Sequence, residues 1–126
     1  MAKNWALVVG INDYNRLNYP PLKYAKCDAE KMRDFFQSAN FEQVFFFSDD
    51  SPRQALPNGT LIPTQATYGN LISFLQGFFD QPFLDTGDNF WFFFAGHGDS
   101  HQDQYYLLPL DANAIGSAAL AALTGN

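Results

Sequence analysis

Residues 89–99 read NFWFFFAGHGD, an almost unbroken aromatic run that ends in a histidine flanked by two glycines. A continuous apolar run of this kind is typical of a strand that is buried on both faces. Gly96 and Gly98 lack a Cβ, so a backbone group or a substrate can approach the ring of His97 closely, and a positive φ is also tolerated there. The run therefore predicts a central parallel strand that carries His97 at its carboxyl end.

Two further strands and two helices are predicted ahead of this strand. The apolar runs WALVVGI (5–11) and FEQVFFFSDD (41–50) both end in polar residues, as buried strands do. Between them, apolar residues recur at three- and four-residue steps and predict an amphipathic helix that ends near Ser38–Asn40. Its apolar positions are Leu22, Ala25, Ala29, Met32 and Phe36. A second helix is predicted after Thr64, which could cap it. Its apolar side is formed by Tyr68, Leu71, Ile72, Leu75, Phe78 and Phe79.

The last part of the chain predicts two smaller elements. QYYLLPL (104–110) is expected to form a short or edge strand, because Pro109 cannot donate a ladder hydrogen bond. The Ala/Leu-rich segment 114–126 is expected to form a final helix. Between His97 and this strand, residues 98–103 are predicted to be a Gly/Asp/Ser loop.

The order strand, helix, strand, helix, strand predicts an α/β fold. We expect a three-layer sandwich with a mostly parallel central sheet, formed by the 126 residues as a single domain. Ligands of such sheets bind at the carboxyl ends of the strands, where the strand order reverses. This rule selects His97 and the loop that begins at Asn12–Asp13 as the predicted functional region.

Composition excludes several classes of partner. The formal charge is −6 and no Lys/Arg cluster stands out, so no nucleic-acid partner is predicted. No apolar run approaches the ~20 residues of a membrane helix, and the amino-terminal segment lacks the features of a signal peptide. The single cysteine, Cys27, permits no intrachain disulfide and suits a reducing compartment. We therefore expect a soluble cytoplasmic protein without a membrane partner.

His97 is the strongest candidate for chemistry, because an imidazole with a pKa of about 6.5 can act as acid or base at neutral pH. The alternative is a histidine that only forms hydrogen bonds at a strand end. His97 and His101 are four residues apart but lack an HExxH pattern, so no metal site is predicted. Cys27 lies off the apolar stripe of its helix, beside Asp28, whose carboxylate opposes a thiolate, and we expect it to be a surface thiol.

The motifs taken together resemble those of the caspase-like cysteine peptidases, most of all the bacterial orthocaspases and the metacaspases. The matching segments are ALVVGINDY (6–14), LKYAKCDAEKM (22–32), FWFFFAGHGD (90–99) and YYLLPLDA (105–112). The resemblance implies that His97 is the histidine of a Cys–His catalytic dyad and that the Gly98 N–H helps to form the oxyanion hole. It also implies that Asp28 lines a pocket for the Arg or Lys side chain of a polypeptide substrate.

The chain departs from the family pattern at three points. Cys27 stands where asparagine is usual before Asp28, and Ala95 stands where many metacaspases have serine. No cysteine follows His97, although in caspases the nucleophile lies about 50 residues after the histidine. The resemblance therefore implies a single p20-like domain, residues 1–126, that lacks the portion carrying the catalytic cysteine.

These residues lead to two functional hypotheses. One is the histidine-bearing part of a cysteine endopeptidase, inactive alone and cleaving after Arg or Lys once a p10-like remainder completes it. The other is a non-catalytic caspase-like adaptor or regulatory module. No cofactor is expected. Calcium remains possible in a complete protein, since Asp111 is a conceivable ligand.

Overall fold

Strands and helices alternate along the chain in the computed structural model, which describes residues 2–14, 21–80, 82–101 and 104–110. The strands are β1 (Asn4–Gly10), β2 (Gln43–Ser48), β3 (Gln54–Ala55), β4 (Leu61–Ile62), β5 (Asn89–Ala95), β6 (Gly98–His101) and β7 (Gln104–Leu107). The helices are α1 (Ala25–Ser38) and α2 (Tyr68–Asp80). Asp111 and the predicted helix at 114–126 lie outside the described residues.

The main sheet contains three strands in the order β2-β1-β5, and both pairings are parallel. Gly10, the last residue of β1, lies level with Ser48 of β2 and with Ala95 of β5. The carboxyl ends of the three strands therefore share one edge. The predicted α/β architecture with a parallel sheet is confirmed.

The position of the aromatic strand within the sheet differs from the prediction. Among the described strands β1 is central, and β5 lies at one end of the sheet. Trp91 and Phe92 of β5 remain 51% and 50% exposed. A continuous apolar run reports that both faces of a strand are apolar, but it contains no information on whether both edges are paired. The expectation that β5 is a central strand was therefore wrong for the described sheet.

Side chains of β1 alternate between two apolar clusters, one on each face of the sheet. Ala6 and Val8 pack with the α1 residues Ala29 and Phe36. On the other face, residues of the sheet pack with α2, and this cluster includes Trp5, Leu7, Val9, Phe45, Phe47, Leu71 and Phe74. Helix, sheet and helix thus form the three layers that the sequence predicts. With 14 and 13 residues, neither of the two described helices is long enough to cross a bilayer.

α1 begins later than its apolar pattern suggests, and α2 begins at the first residue of its apolar pattern but is not capped by the predicted residue. α1 begins at Ala25, and its second residue, Lys26, donates its N–H to the Asn12 side-chain oxygen at 2.9 Å. α2 begins after Thr67, whose hydroxyl oxygen accepts the N–H of Asn70 at 3.2 Å. Thr64 is therefore not the cap that the sequence predicts, and its hydroxyl instead donates to the carbonyl of Pro52. Both differences arise because the capping partner depends on the surrounding fold.

A β-hairpin replaces the loop that the sequence predicts after His97. β6 pairs with β7 in antiparallel fashion, from Gly98 opposite Leu107 to His101 opposite Gln104. The polar sequence of β6 has no strand-like apolar alternation, so its conformation depends on pairing with β7. The short strand predicted near 104–110 is confirmed as β7, and Pro109 follows it.

Candidate active site

His97 lies at the carboxyl edge of the sheet, between the end of β5 and the start of β6. The neighbouring strand β1 ends beside it, because the N–H of Ile11 donates to the carbonyl of Ala95 at 3.0 Å. The predicted juxtaposition of His97 with the end of β1 is therefore present. This is the edge at which parallel α/β sheets bind their ligands.

Tyr14 makes the best-defined contact with His97. The Tyr14 hydroxyl accepts the backbone N–H of His97 at 2.8 Å and donates to the backbone carbonyl of Leu108 at 2.9 Å. The Tyr14 and His97 rings lie 5.1 Å apart between centroids and are tilted by 57°. Tyr14 is only 9% exposed, so the imidazole packs against a buried ring.

Gly96 is needed because of this contact rather than because of its backbone angles. A Cβ built on Gly96 would stand 2.7 Å from the Tyr14 hydroxyl, well inside van der Waals distance. Its φ does not lie in the left-handed region. The sequence suggested two reasons for this glycine, close approach of another group and a positive φ. Only the close approach applies, and the approaching group is the Tyr14 hydroxyl of the protein itself.

The backbone N–H of Gly98 points away from the hairpin. His97 and Leu108 form a hydrogen-bonded pair, since the N–H of Leu108 donates to the carbonyl of His97 at 3.0 Å. In an antiparallel ladder the next pair is non-hydrogen-bonded, and here that pair is Gly98 with Leu107. The Gly98 N–H is thus directed outward from β7, next to the histidine.

The loop that leads from β1 to Tyr14 is held by Asp49, which lies just after β2. One Asp49 carboxylate oxygen accepts the N–H of Asn12 at 3.0 Å and the other accepts the N–H of Asp13 at 2.9 Å. Two backbone donors on one carboxylate fix the direction in which the chain leaves β1. The position of Tyr14 therefore depends on a residue that directly follows the neighbouring strand.

An ion pair adds to the polar side of this edge. Lys26 donates to the carboxylate of Asp50, and the hydrogen bond raises the pKa of Lys26 while burial opposes the shift. The same hydrogen bond lowers the pKa of Asp50. Asn12, Asp13, Lys26, Asp49 and Asp50 line one polar cleft at the carboxyl ends of β1 and β2. The edge beside His97 is consequently rich in carboxylates.

Asp28 lies in the first turn of α1, and its side chain is exposed. Asn12 caps the amino end of this helix, so Asp28 belongs to the same carboxyl edge of the sheet as His97. α1 covers the face opposite to the cluster that contains Tyr14. The role of Asp28 in substrate binding stays a prediction. Cys27, its neighbour, is also exposed.

Comparison with known proteins identifies the family. The family model described as "Caspase domain" matches residues 3–126. The chain belongs to the caspase-domain family. A protein named "Probable protease" from a Desulfuromonadales bacterium is 32% identical over 102 residues, which make up 76% of this chain. The matching residues cover only 12% of the length of that relative.

Three residues that organise the site were not assigned these roles from the sequence. Asn12 and Tyr14 belong to the INDY segment, which the ligand-binding rule for parallel sheets did select, but the rule does not say which side chain turns inward. Asp49 follows an apolar strand in a pattern that equally suits a solvated turn. The two backbone donors that it binds lie more than thirty residues away in the chain, so no local pattern contains this contact.

Proposed function

We propose that this caspase domain is the histidine-bearing part of a cysteine endopeptidase that cleaves polypeptides after Arg or Lys. The observation that carries the proposal is the position of His97. It lies between two glycines at the carboxyl edge of a parallel sheet, with its backbone bound by Tyr14. An imidazole held in this way at a ligand-binding edge suits a general acid and base.

The proposed reaction is acyl transfer through a cysteine thiolate. The thiolate attacks the carbonyl carbon of the scissile peptide bond, and the carbonyl oxygen becomes an oxyanion. His97 donates a proton to the leaving amine, and it then removes a proton from the water that hydrolyses the thioester. The outward-facing N–H of Gly98 supports a role as oxyanion donor. Such a donor typically contributes about 3 kcal/mol to the stability of the transition state.

The proposed nucleophile is a cysteine outside residues 1–126, in the remainder of the caspase-like domain. Cys27 is the one cysteine of these residues, and it is exposed on α1 directly before Asp28. A neighbouring carboxylate disfavours the thiolate, although the amino end of a helix favours it. The placement of Cys27 therefore supports a surface thiol rather than a dyad partner of His97.

Asp28 is the proposed determinant of basic specificity. Its carboxylate is exposed at the first turn of a helix that begins beside the cleft of Asn12, Asp13, Asp49 and Asp50. A carboxylate in this position can form a charge-assisted hydrogen bond with a guanidinium or ammonium group. The competing explanation is that Asp28 only stabilises the amino end of α1, which is typically worth about 0.3–1 kcal/mol.

The test uses the longest gene product that contains residues 1–126, with fluorogenic peptides that carry Arg, Lys or Asp before the scissile bond. We expect turnover after Arg and Lys but not after Asp, and loss of turnover in His97→Ala. His101→Ala is the matched control, since it removes the other histidine of this segment. Absence of turnover in the folded gene product would favour the adaptor or regulatory module. Activity that Cys27→Ala abolishes would instead identify Cys27 as the nucleophile.

A further inference from the structure

The Tyr14 hydroxyl occupies the place of a missing ladder hydrogen bond. In an antiparallel hydrogen-bonded pair, each residue normally donates its N–H to the carbonyl of the other. Leu108 does so toward His97 at 3.0 Å. In the reverse direction, the His97 N–H donates to the Tyr14 hydroxyl at 2.8 Å instead of to Leu108. The Tyr14 hydroxyl in turn donates to the Leu108 carbonyl at 2.9 Å. The pair is therefore closed by a side chain from another part of the fold.

We propose that Tyr14 is a positioning residue that sets the location of the His97 imidazole and the Gly98 N–H. The catalytic consequence rests on the proposed peptidase function, whereas the positioning itself is a property of the fold. Because the hydroxyl holds the backbone at His97, it fixes where β5 turns into β6. The buried Tyr14 ring also supports one side of the imidazole, at 5.1 Å between centroids.

The position of Tyr14 is in turn set by the end of β2. The carboxylate of Asp49 binds the N–H groups of Asn12 and Asp13, the two residues directly before Tyr14. The Asn12 side chain also accepts the N–H of Lys26 and so caps α1, the helix that carries Asp28. Asn12 and Tyr14, which follow β1, thus connect the proposed catalytic histidine with the proposed specificity residue. A displacement of Tyr14 is expected to move the reacting groups without removing the binding group.

Tyr14→Phe separates these effects, because it keeps the ring and removes only the bridging hydroxyl. In the full gene product we expect kcat to fall by about 10- to 100-fold, since misplacement by about 1 Å can have an effect of that size. KM for an Arg peptide should stay within about twofold, because the proposed binding residue is untouched. The backbone N–H of His97 should also exchange faster with solvent, since its acceptor is lost.

Amide exchange is measured by NMR on protein labelled with ¹⁵N-histidine, with the His97 signal assigned from its loss in His97→Asn. The matched control is Tyr24→Phe, the same change at a tyrosine that is 71% exposed, for which neither readout should change. Gly96→Ala is the second variant. Its added Cβ would stand 2.7 Å from the Tyr14 hydroxyl, so it should disturb the same bond even if Tyr14→Phe does not fold. In the double variant the two effects should not add.

Each outcome decides the proposal. Faster exchange at His97, with kcat lowered and KM retained, supports it. Unchanged exchange at His97 in folded Tyr14→Phe and Gly96→Ala overturns it, and so does an effect on KM alone. If the unaltered gene product shows no peptidase activity, the proposed function fails, but the amide exchange of His97 still decides whether Tyr14 positions this segment.

Discussion

Gly10 and Ala29 approach so closely that a Cβ on Gly10 would stand 2.5 Å from the Cβ of Ala29. The same Cβ would lie 3.1 Å from the backbone of Lys26. The first turns of α1 therefore rest directly on the carboxyl end of β1, with only the Ala29 methyl group between the two backbones at this point. This contact determines how near Asp28 and the capped end of α1 lie to the edge of the sheet that carries His97.

Gly10→Ala should lower the free energy of unfolding by about 1–3 kcal/mol, because the added methyl group forces α1 away from β1. Urea denaturation followed by circular dichroism measures the change. Ala29→Gly in the same chain should restore part of the loss, although glycine within a helix costs about 1 kcal/mol. Gly77→Ala in α2 is the control, since nothing lies within 4 Å of its added Cβ. Equal destabilisation by both alanines would contradict the packing argument.

Asp28→Asn should lower kcat/KM for Arg and Lys peptides in the active gene product by about 10- to 100-fold, mainly through KM. The reason is the loss of a charge-assisted hydrogen bond to the basic side chain, typically worth about 1.5–3 kcal/mol. Steady-state kinetics on matched peptides measures the effect. Asp34→Asn makes the same charge change at an exposed position further along α1 and should leave the kinetics unchanged. If Asp28→Asn changes only the thermal stability, the role of Asp28 is to stabilise the amino end of α1 and not to bind substrate.

Asp49→Ala should release the loop after β1, because the N–H groups of Asn12 and Asp13 lose their acceptor. We expect the free energy of unfolding to fall by about 1–2 kcal/mol and the exchange of these two amides to accelerate. Asp49→Asn keeps one carbonyl oxygen and should give an intermediate result. Hydrogen exchange measured on the three proteins checks the order. Equal protection of both amides in all three proteins would show that other contacts hold the loop.

The stability of the domain should depend on pH through Asp88. Its carboxylate accepts the backbone N–H of Lys3 at 2.9 Å and of Asp85 at 3.0 Å, and these bonds lower its pKa. A folded-state pKa below the unfolded value stabilises the fold above the ordinary carboxyl pKa of about 3.9, and the effect disappears as the pH falls through the folded-state pKa. Asp88→Asn should therefore be less stable than the unaltered chain at pH 7, with a smaller difference at pH 3. Urea titrations at the two pH values test this, and a constant difference would contradict it.

The isolated chain should associate through β5 as its concentration rises. Trp91 and Phe92 are half exposed on a strand at the end of the described sheet, and such edges favour pairing between molecules. Phe92→Lys should reduce the association, which light scattering combined with size exclusion measures. Phe35→Lys is the control, because Phe35 is 64% exposed but lies on α1. A stable monomer at high concentration without any substitution would argue against the exposed edge.

The elements that the sequence predicts well are those whose patterns report burial. The apolar runs of β1, β2 and β5 and the periodic positions of α1 follow from two apolar strand faces and one apolar helix stripe. The sequence does not predict that β5 lies at the end of the described sheet, because an apolar face does not reveal an unpaired edge. It also does not predict β6, whose residues are polar and become a strand only through β7.

The organisation of the candidate site was harder to predict from the sequence, for a related reason. His97 and the end of β1 could be placed together, since parallel strands align their carboxyl ends. The contacts of Tyr14 with His97 and Leu108 span 83 and 94 residues of the chain. The helix cap provided by Asn12 spans 14 residues, beyond the local capping pattern. Such contacts depend on the tertiary fold, which local periodicity does not determine.

The central position of β1 also has a consequence for how the protein folds during its synthesis on the ribosome. β1, α1 and β2 can assemble once residue 48 has emerged, whereas Asn4 of β1 must wait for Asn89, 85 residues later. At synthesis rates of about 5–20 residues per second, β5 follows β2 by about 2 to 9 s. During this interval the unpaired backbone edge of β1 and its apolar side chains are open to water and to neighbouring nascent chains. We therefore expect association between nascent chains through β1 to be most favoured before β5 has been synthesised.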